Sequence, residues 1–223
     1  MNYNITKKEE DYLKGLLHLK WINKDGRIGT NQLAESVGVA PATANSMLKK
    51  LKDKEWVDYE KYGAISLTEK GENIALQLIR KHRLWETFLY DTLDFSWDEV
   101  HEVAEQLEHI HSEKLISKLD EFLGFPIQDP HGDPIPDNQG HFEKISRKTL
   151  SEMPVGSISR IVTVRDTSAS FLQYVSELEM DLDTLVEILE RQDFDNSLLI
   201  RVKEKCHRVS EKFSRNIFVV LER

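Results

Sequence analysis

Histidine and acidic side chains recur at helical spacing in two neighbouring stretches of the chain. His82 and Glu86 are four residues apart, so they share one face of a helix. In the next stretch, one stripe at i, i+4, i+7 and i+8 holds His101, Glu105, Glu108 and His109. Imidazole and carboxylate groups together are ligands for divalent transition metals. Asp11, from an earlier helix, is a further acidic residue able to join them.

A solvated helix face with incidental histidines is the alternative interpretation of this pattern. Charged residues at helical spacing commonly form such a face, and 8 histidines in 223 residues are no large excess. Spacing by itself therefore leaves both a metal site and a solvent-exposed face open.

The composition indicates an ordinary globular chain, with 39% hydrophobic residues. The single cysteine, Cys206, excludes an internal disulfide and a cysteine-based zinc site. The N-terminus has no apolar signal core, and no stretch approaches the roughly 20 apolar residues of a membrane span. We therefore expect a cytoplasmic protein that does not enter a membrane.

The net charge of −9 is unevenly distributed. Residues 1–75 carry 12 Lys and Arg against 11 Asp and Glu, whereas residues 76–223 carry 18 against 28. The first third of the chain therefore repels a phosphate backbone least, and the acidic remainder would attract divalent cations.

Residues 5–73 have the order of a winged helix-turn-helix: a helix, two helices joined by a tight turn, and a two-stranded hairpin turning at Tyr62 and Gly63. Residues that cap or break the helices divide the segment: Thr6, Glu9, Thr30, Gly38, Pro41 and Thr68. A helix from Ala40 to about Glu55 then predicts the DNA-reading element, with its N-terminal residues at base edges and lysines at phosphates. The candidate DNA contacts are Ala40, Pro41, Thr43, Asn45, Ser46, Lys49, Lys50 and Lys61. A solvated helix in a protein-binding domain is the alternative.

The rest of the chain is predicted as helices with much apolar surface, suited to a dimer interface, then a Pro/Gly-rich linker and several short strands. The strand-rich runs are SISRIVTV, LVEIL, SLLIRV and NIFVVLE, interrupted by the helix SFLQYVSEL. Short strands in so small a segment suggest a small barrel. The fold class is mainly α with a small β domain.

Four stretches resemble the diphtheria toxin repressor family of iron- and manganese-dependent repressors: EEDYLKGL, the helix-turn-helix, RKHRLWETFL and VHEVAEQLEHIHSE. LGFPIQDPHGDPIP follows in the style of the three-domain manganese-responsive members. The resemblance covers nearly the whole chain. It implies a winged helix-turn-helix (1–73), a helical metal-binding and dimerisation domain (74–125), a linker (126–149) and an SH3-like, FeoA-like domain (150–223). It also implies a homodimer that binds double-stranded operator DNA, controls metal-uptake genes, and is not an enzyme with a small-molecule substrate.

The same resemblance implies two metal ions per chain. The primary site would comprise Asp11, Glu105, Glu108 and His109. The ancillary site would comprise His82, Glu86 and His101, with Asp166 from the C-terminal domain. Asp129 and His131 stand where some members bind a further ion.

The departures from the family pattern favour manganese. Iron-responsive members have Met and Cys where this chain has Asp11 and Glu105, and oxygen ligands favour Mn²⁺ over the softer Fe²⁺. Lys14 stands where two-domain manganese sensors have a bridging Glu, which argues against their closely spaced ion pair. An Fe²⁺-responsive repressor and a metal-independent winged-helix regulator remain the alternatives. A metal hydrolase is disfavoured because HExxH is absent.

Overall fold

The computed structural model describes residues 5–23, 27–59, 63–142 and 147–222. The chain divides into two compact units. The first comprises Met1–His82, Gln106–Glu113 and Pro136–His141, and the second comprises Arg83–Glu105, Lys114–Ile135 and Phe142–Arg223. The domain boundaries expected from the sequence stay predictions.

Three helices and a hairpin begin the first unit: α1 (Lys7–Ile22), α2 (Thr30–Ser36), α3 (Pro41–Asp53), β1 (Val57–Tyr59) and β2 (Ile65–Leu67). The predicted capping box is confirmed, since the Thr6 hydroxyl accepts from the Glu9 N–H and the Glu9 carboxylate accepts from the Thr6 N–H. The prediction that Thr30 caps α2 is wrong, because Gly29 is the N-cap and Thr30 the first helical residue. The predicted hairpin turn includes Tyr62, which lies outside the described residues.

Buried leucines from all three helices form the core of this unit together with the hairpin. The fully buried members include Leu13, Leu17, Leu33, Leu48, Leu51 and Ile65. β1 and β2 pair antiparallel, with Val57 opposite Leu67. Burial of this apolar surface stabilises the predicted winged helix-turn-helix.

Three further helices follow: α4 (Glu69–Leu93), α5 (Val100–Leu107) and α6 (Glu113–Phe122). Thr68 caps α4 as predicted, because its hydroxyl accepts from the Gly71 N–H. α5 ends earlier than expected, where the Ile110 N–H bonds to the Leu107 carbonyl and closes a turn. Glu108 and His109 therefore lie in a turn and not on the same helical stripe as His101. In the described part of the chain, no helix is long and apolar enough to span a bilayer.

The C-terminal part of the second unit is a six-stranded antiparallel sheet in the order β3-β8-β4-β5-β6-β7. Its elements are β3 (Lys148–Thr149), β4 (Ile158–Val164), α7 (Ala169–Glu177), β5 (Leu185–Arg191), β6 (Leu198–Val202), β7 (Lys205–Val209), α8 (Glu211–Ser214) and β8 (Ile217–Leu221). The four predicted strands and the α7 helix are confirmed. β7 was not predicted, because this edge strand is mostly exposed and its polar sequence, KCHRV, lacks the apolar alternation of a half-buried strand.

Candidate metal centre

Asp11, Glu108 and His109 come together in the first unit. Asp11 lies on α1, and Glu108 and His109 follow the last residue of α5. His109 Nε2 is 3.2 Å from Asp11 Oδ1 and 3.6 Å from Glu108 Oε1. One potential ligand atom from each residue lies within 4.8 Å of the other two. The structure thus gathers three of the four residues expected at the primary site.

Two atoms of this group are buried and unsatisfied. Glu108 Oε1 and His109 Nε2 have no hydrogen-bond partner within the described ranges of the chain. An unpaired buried polar atom costs about 1–3 kcal/mol, so each one requires an explanation. A carboxylate oxygen and an imidazole nitrogen are both ligands for divalent metals. The residues present therefore fit a metal ion at this position.

Glu10 determines which nitrogen of His109 is available. His109 Nδ1 is 2.6 Å from Glu10 Oε2, and the Glu10 side chain is almost fully buried. A carboxylate only accepts, so Nδ1 carries a proton and donates to Glu10, and Nε2 is the nitrogen on the side of Asp11 and Glu108. Such a carboxylate–imidazole pair commonly supports a metal-binding histidine. Sequence reasoning missed Glu10, because a residue next to Asp11 lies on a different part of the helix surface.

The second oxygen of Glu108 is held by two other groups of the first unit. Oε2 is 2.5 Å from His82 Nδ1 and accepts a 2.7 Å hydrogen bond from Lys14 Nζ. Burial opposes ionisation of Glu108, but the hydrogen bond from His82 and the charge of Lys14 outweigh it and lower the pKa of the carboxyl. Glu108 is therefore a carboxylate although its side chain is fully buried.

A second group of potential ligands lies in the second unit. Glu86 of α4 and the loop residues Asp129 and His131 are all buried, and each offers a ligand atom within 4.8 Å of the others. His131 Nε2 is 2.8 Å from the Trp97 carbonyl oxygen, and Nδ1 is 3.7 Å from Glu86 Oε1. Nε2 donates to the carbonyl, and Nδ1 lies on the side of Glu86.

Negative charge is concentrated around His131. Burial disfavours the charged imidazole, but the hydrogen bond with Glu86 and the charges of Glu86 and Asp129 raise the pKa of His131 to about 9. Burial, with the charges of Glu86 and Asp133, raises the pKa of Asp129 to about 7. Arg83 Nε lies 3.3 Å from Asp129 Oδ2 and opposes the rise in the pKa of Asp129, so these acidic groups already have the cations Arg83 and His131 beside them.

The loop carrying Asp129 and His131 is held firmly in place. Asp129 Oδ1 accepts hydrogen bonds from the N–H groups of His131 and Asp133, both at 2.9 Å. Gly132 has a φ of +80°, and a Cβ there would lie 1.9 Å from the Val162 carbonyl oxygen of β4. Only glycine fits this close approach, so the loop presents its side chains in a fixed position.

Two other residues of the predicted ancillary site, His101 and Asp166, lie in the second unit. His101 Nδ1 is 3.1 Å from Glu86 Oε1, and His101 Nε2 is 3.8 Å from Glu105 Oε1. Asp166 accepts a 3.0 Å hydrogen bond from the Ser168 N–H, just before α7. Among the residues that the structure describes, Asp166 joins no group of potential ligands, and its role in a site stays a prediction.

Most of the predicted DNA contacts are exposed on α3 and its N-cap: Ala40, Pro41, Thr43, Ser46, Lys49 and Lys50. Asn45 is half-buried, and its side-chain oxygen accepts a 2.6 Å hydrogen bond from the Tyr59 hydroxyl of β1. Lys61 lies outside the described residues. The exposed face of α3 is thus free to meet a nucleic acid.

Three family models match consecutive parts of the chain. "Iron dependent repressor, N-terminal DNA binding domain" matches residues 4–65, and "Iron dependent repressor, metal binding and dimerisation domain" matches residues 68–137. The FeoA domain matches residues 148–221.

Curated relatives agree with these models. An uncharacterised HTH-type transcriptional regulator of Methanocaldococcus jannaschii is 35% identical over 115 residues, which are 51% of this chain and 90% of the relative. The iron-dependent repressor IdeR of Mycobacterium tuberculosis is 35% identical over 105 residues, 44% of this chain and 46% of the relative. Matches to the first curated relatives span 16–46% of their own length.

Solved structures match over nearly the full chain. A manganese-dependent transcriptional repressor in complex with manganese is 33% identical with a TM-score of 0.87, covering 96% of this chain and 99% of that one. The manganese regulator SloR is 30% identical with a TM-score of 0.78, covering 98% and 100%. The predicted fold class is therefore confirmed, and the chain belongs to the iron-dependent repressor family of metal-dependent transcriptional regulators.

Proposed function

We propose that this protein is a homodimeric repressor that binds operator DNA in response to Mn²⁺. The observation that carries the proposal is the pair of unsatisfied buried atoms, Glu108 Oε1 and His109 Nε2. They lie in the same compact unit as the winged helix-turn-helix. Asp11 faces His109 from α1, which packs against α2 in the core of the DNA-binding fold. Occupancy of the site would therefore act directly on that fold.

Asp11, Glu108 and His109 would hold the primary ion, with Glu105 as the further ligand that the resemblance implies. A bound divalent ion supplies positive charge among acidic ligands. The chain prepares this position in three ways. Glu10 bonds to Nδ1 of His109 and so turns Nε2 towards the site, burial removes competing water from Glu108, and α1 places Asp11 opposite both.

Glu86, Asp129 and His131 would hold a second ion, which gives two ions per chain. His101 contacts Glu86 and is a further candidate ligand. This set overlaps the predicted ancillary site at Glu86 and His101. It also includes Asp129 and His131 of the loop, which the resemblance implied only for a further ion. The support for it is three buried ligand groups, each with a ligand atom within 4.8 Å of the others.

The ligand types favour Mn²⁺. Asp11 and Glu108 contribute oxygen atoms, which suit harder ions. Zn²⁺ binds nitrogen and oxygen sites more tightly than Mn²⁺ does, so selectivity has to come from geometry and metal availability. Fe²⁺ is the alternative signal, and the family contains iron-dependent members.

An exposed apolar surface supports the homodimer. Leu115, Phe122, Phe125 and Ile127 of the second unit, on and after α6, are 40–77% exposed. A contiguous exposed apolar patch commonly marks a protein interface. A twofold dimer would present two α3 helices to a palindromic operator.

The test is anaerobic binding to DNA selected from a random duplex library, titrated in parallel with Mn²⁺, Fe²⁺ and Zn²⁺. We expect Mn²⁺ to tighten DNA binding by a factor between about 5 and 150, the usual range for coupled sites. If the affinity for DNA in excess chelator equals the affinity with metal, metal dependence is refuted. If Fe²⁺ tightens DNA binding at cellular concentrations and Mn²⁺ does not, Fe²⁺ replaces Mn²⁺ as the proposed signal.

A matched pair of variants locates the site. His109→Ala removes a potential ligand whose side chain is 10% exposed, and His141→Ala removes a histidine of the same unit that is 76% exposed. His109→Ala should abolish the metal response, while His141→Ala should leave it intact. Equal responses in the two variants would show that the primary site is misassigned.

A further inference from the structure

Lys14 places a positive charge against the buried carboxylate of the primary site. Its Nζ atom is 2.7 Å from Glu108 Oε2 and 3.3 Å from His82 Nδ1. The Glu108 side chain is fully buried, whereas the Lys14 side chain is 21% exposed. Because one partner is inaccessible to solvent, this pair is screened far less than a surface ion pair.

One other lysine of α1 forms an ion pair that is exposed on both sides. Lys20 lies on the same helix and contacts Glu72 at 2.8 Å, but the two side chains are 45% and 32% exposed. Glu72 is also not a candidate ligand. Lys14 and Lys20 therefore provide a buried and an exposed example of the same interaction on one helix.

The two oxygens of Glu108 have different roles. Oε2 is held by Lys14 and His82, while Oε1 is unsatisfied and faces His109 Nε2. An ion bound at Oε1 would share the carboxylate with the ammonium group on Oε2. Two cations on one buried carboxylate repel each other, and burial strengthens that repulsion.

We propose that the Lys14 ammonium is a resident counter-cation that lowers the affinity of Glu108 for divalent ions and so sets the metal concentration to which the site responds. The inference rests on the proposed function, because it assumes that Asp11, Glu108 and His109 bind the ion. Partial exposure of Lys14 lets the ammonium move towards water when a second cation approaches. Without metal, the same ammonium compensates the buried charge and keeps the site preformed.

The experiment is Mn²⁺ titration of the full chain, with free Mn²⁺ counted by electron paramagnetic resonance. The step that His109→Ala abolishes identifies the Glu108 site. Lys14→Gln removes the charge but keeps a hydrogen-bond donor, and Lys14→Met removes both with a side chain of similar length. Lys14→Arg retains the charge, and Lys20→Gln is the control for loss of an exposed lysine from the same helix.

We expect Lys14→Gln and Lys14→Met to tighten Mn²⁺ binding at this site by about 10- to 100-fold, the range set by one charge-assisted contact. Lys14→Arg and Lys20→Gln should bind as the unaltered chain does. If Lys14→Gln binds Mn²⁺ with unchanged or weaker affinity while the unaltered chain still binds it, the inference is overturned and the proposed function stands. If the unaltered chain binds no Mn²⁺, the proposed function itself fails.

Discussion

Replacing Glu10 by Gln tests whether the support of His109 matters as the structure indicates. The Glu10 carboxylate lies 2.6 Å from His109 Nδ1 and is almost fully buried. Gln keeps the shape but loses the charge, and its amide can donate as well as accept, so the proton is no longer fixed on Nδ1. A charge-assisted hydrogen bond contributes about 1.5–3 kcal/mol, which corresponds to about 10- to 100-fold in affinity. We expect Mn²⁺ binding to weaken by that factor.

Glu9→Gln is the matched control. Glu9 is the neighbouring buried glutamate of α1, but it contacts Lys54 and the N-cap and is not bonded to His109. Gln is accepted in a capping box, so this variant should retain the helix start and the metal affinity. Two assays separate positioning from folding: Mn²⁺ titration, and ¹⁵N NMR of the His109 ring in the metal-free chain. Equal Mn²⁺ affinities in the two variants, with Nε2 unprotonated in both, would refute the role of Glu10.

Three further predictions concern stability and DNA. His131 has a folded pKa of about 9 against an ordinary 6.5, so its stabilisation of the metal-free chain is complete below pH 6.5 and is lost as the pH rises through 9. Urea denaturation in the presence of chelator should show this loss as a decrease of up to about 3 kcal/mol in the free energy of unfolding. If His131→Gln leaves the pH dependence of that free energy unchanged, His131 is not its cause. Gly132→Ala should cost about 3 kcal/mol or more in urea denaturation, because positive φ and a backbone clash act together. Gly156→Ala, with similar φ but open space, should cost only about 1 kcal/mol. If the two variants lose the same free energy of unfolding, the backbone clash at Gly132 does not contribute. Tyr59→Phe removes the hydrogen bond that holds Asn45, and fluorescence anisotropy should show altered base preference in selected DNA with little change in melting temperature; unchanged preference would contradict this role.

Local sequence signals predicted most of the elements, since their causes lie within a few residues. The Thr6–Glu9 capping box, the Thr68 cap and the strand alternation of the C-terminal segment are all present. The failures have local causes as well. Thr30 was assigned as a cap although Gly29 already occupies that position, and the early end of α5 follows from a turn whose residues also suit a helix.

The resemblance, more than the spacing, supplied the residues proposed for the primary site. Asp11, Glu108 and His109 were named from the sequence, but the stripe that first suggested Glu108 and His109 is not continuous helix. Their proximity arises because the turn after α5 brings them opposite α1. Three-residue and four-residue spacing could not reveal that contact, since it joins residues almost 100 positions apart.

The sequence by itself determined the family, the order of elements and the kinds of ligand, because these depend on residue type and local pattern. Only the tertiary structure decided which of the candidate ligands meet and in which state of charge. It placed Glu10 behind His109, set Lys14 against Glu108, and brought the loop of Asp129 and His131 to Glu86. Burial turns each of these contacts into a strong electrostatic interaction, and burial is a property of the packed chain that no single segment carries.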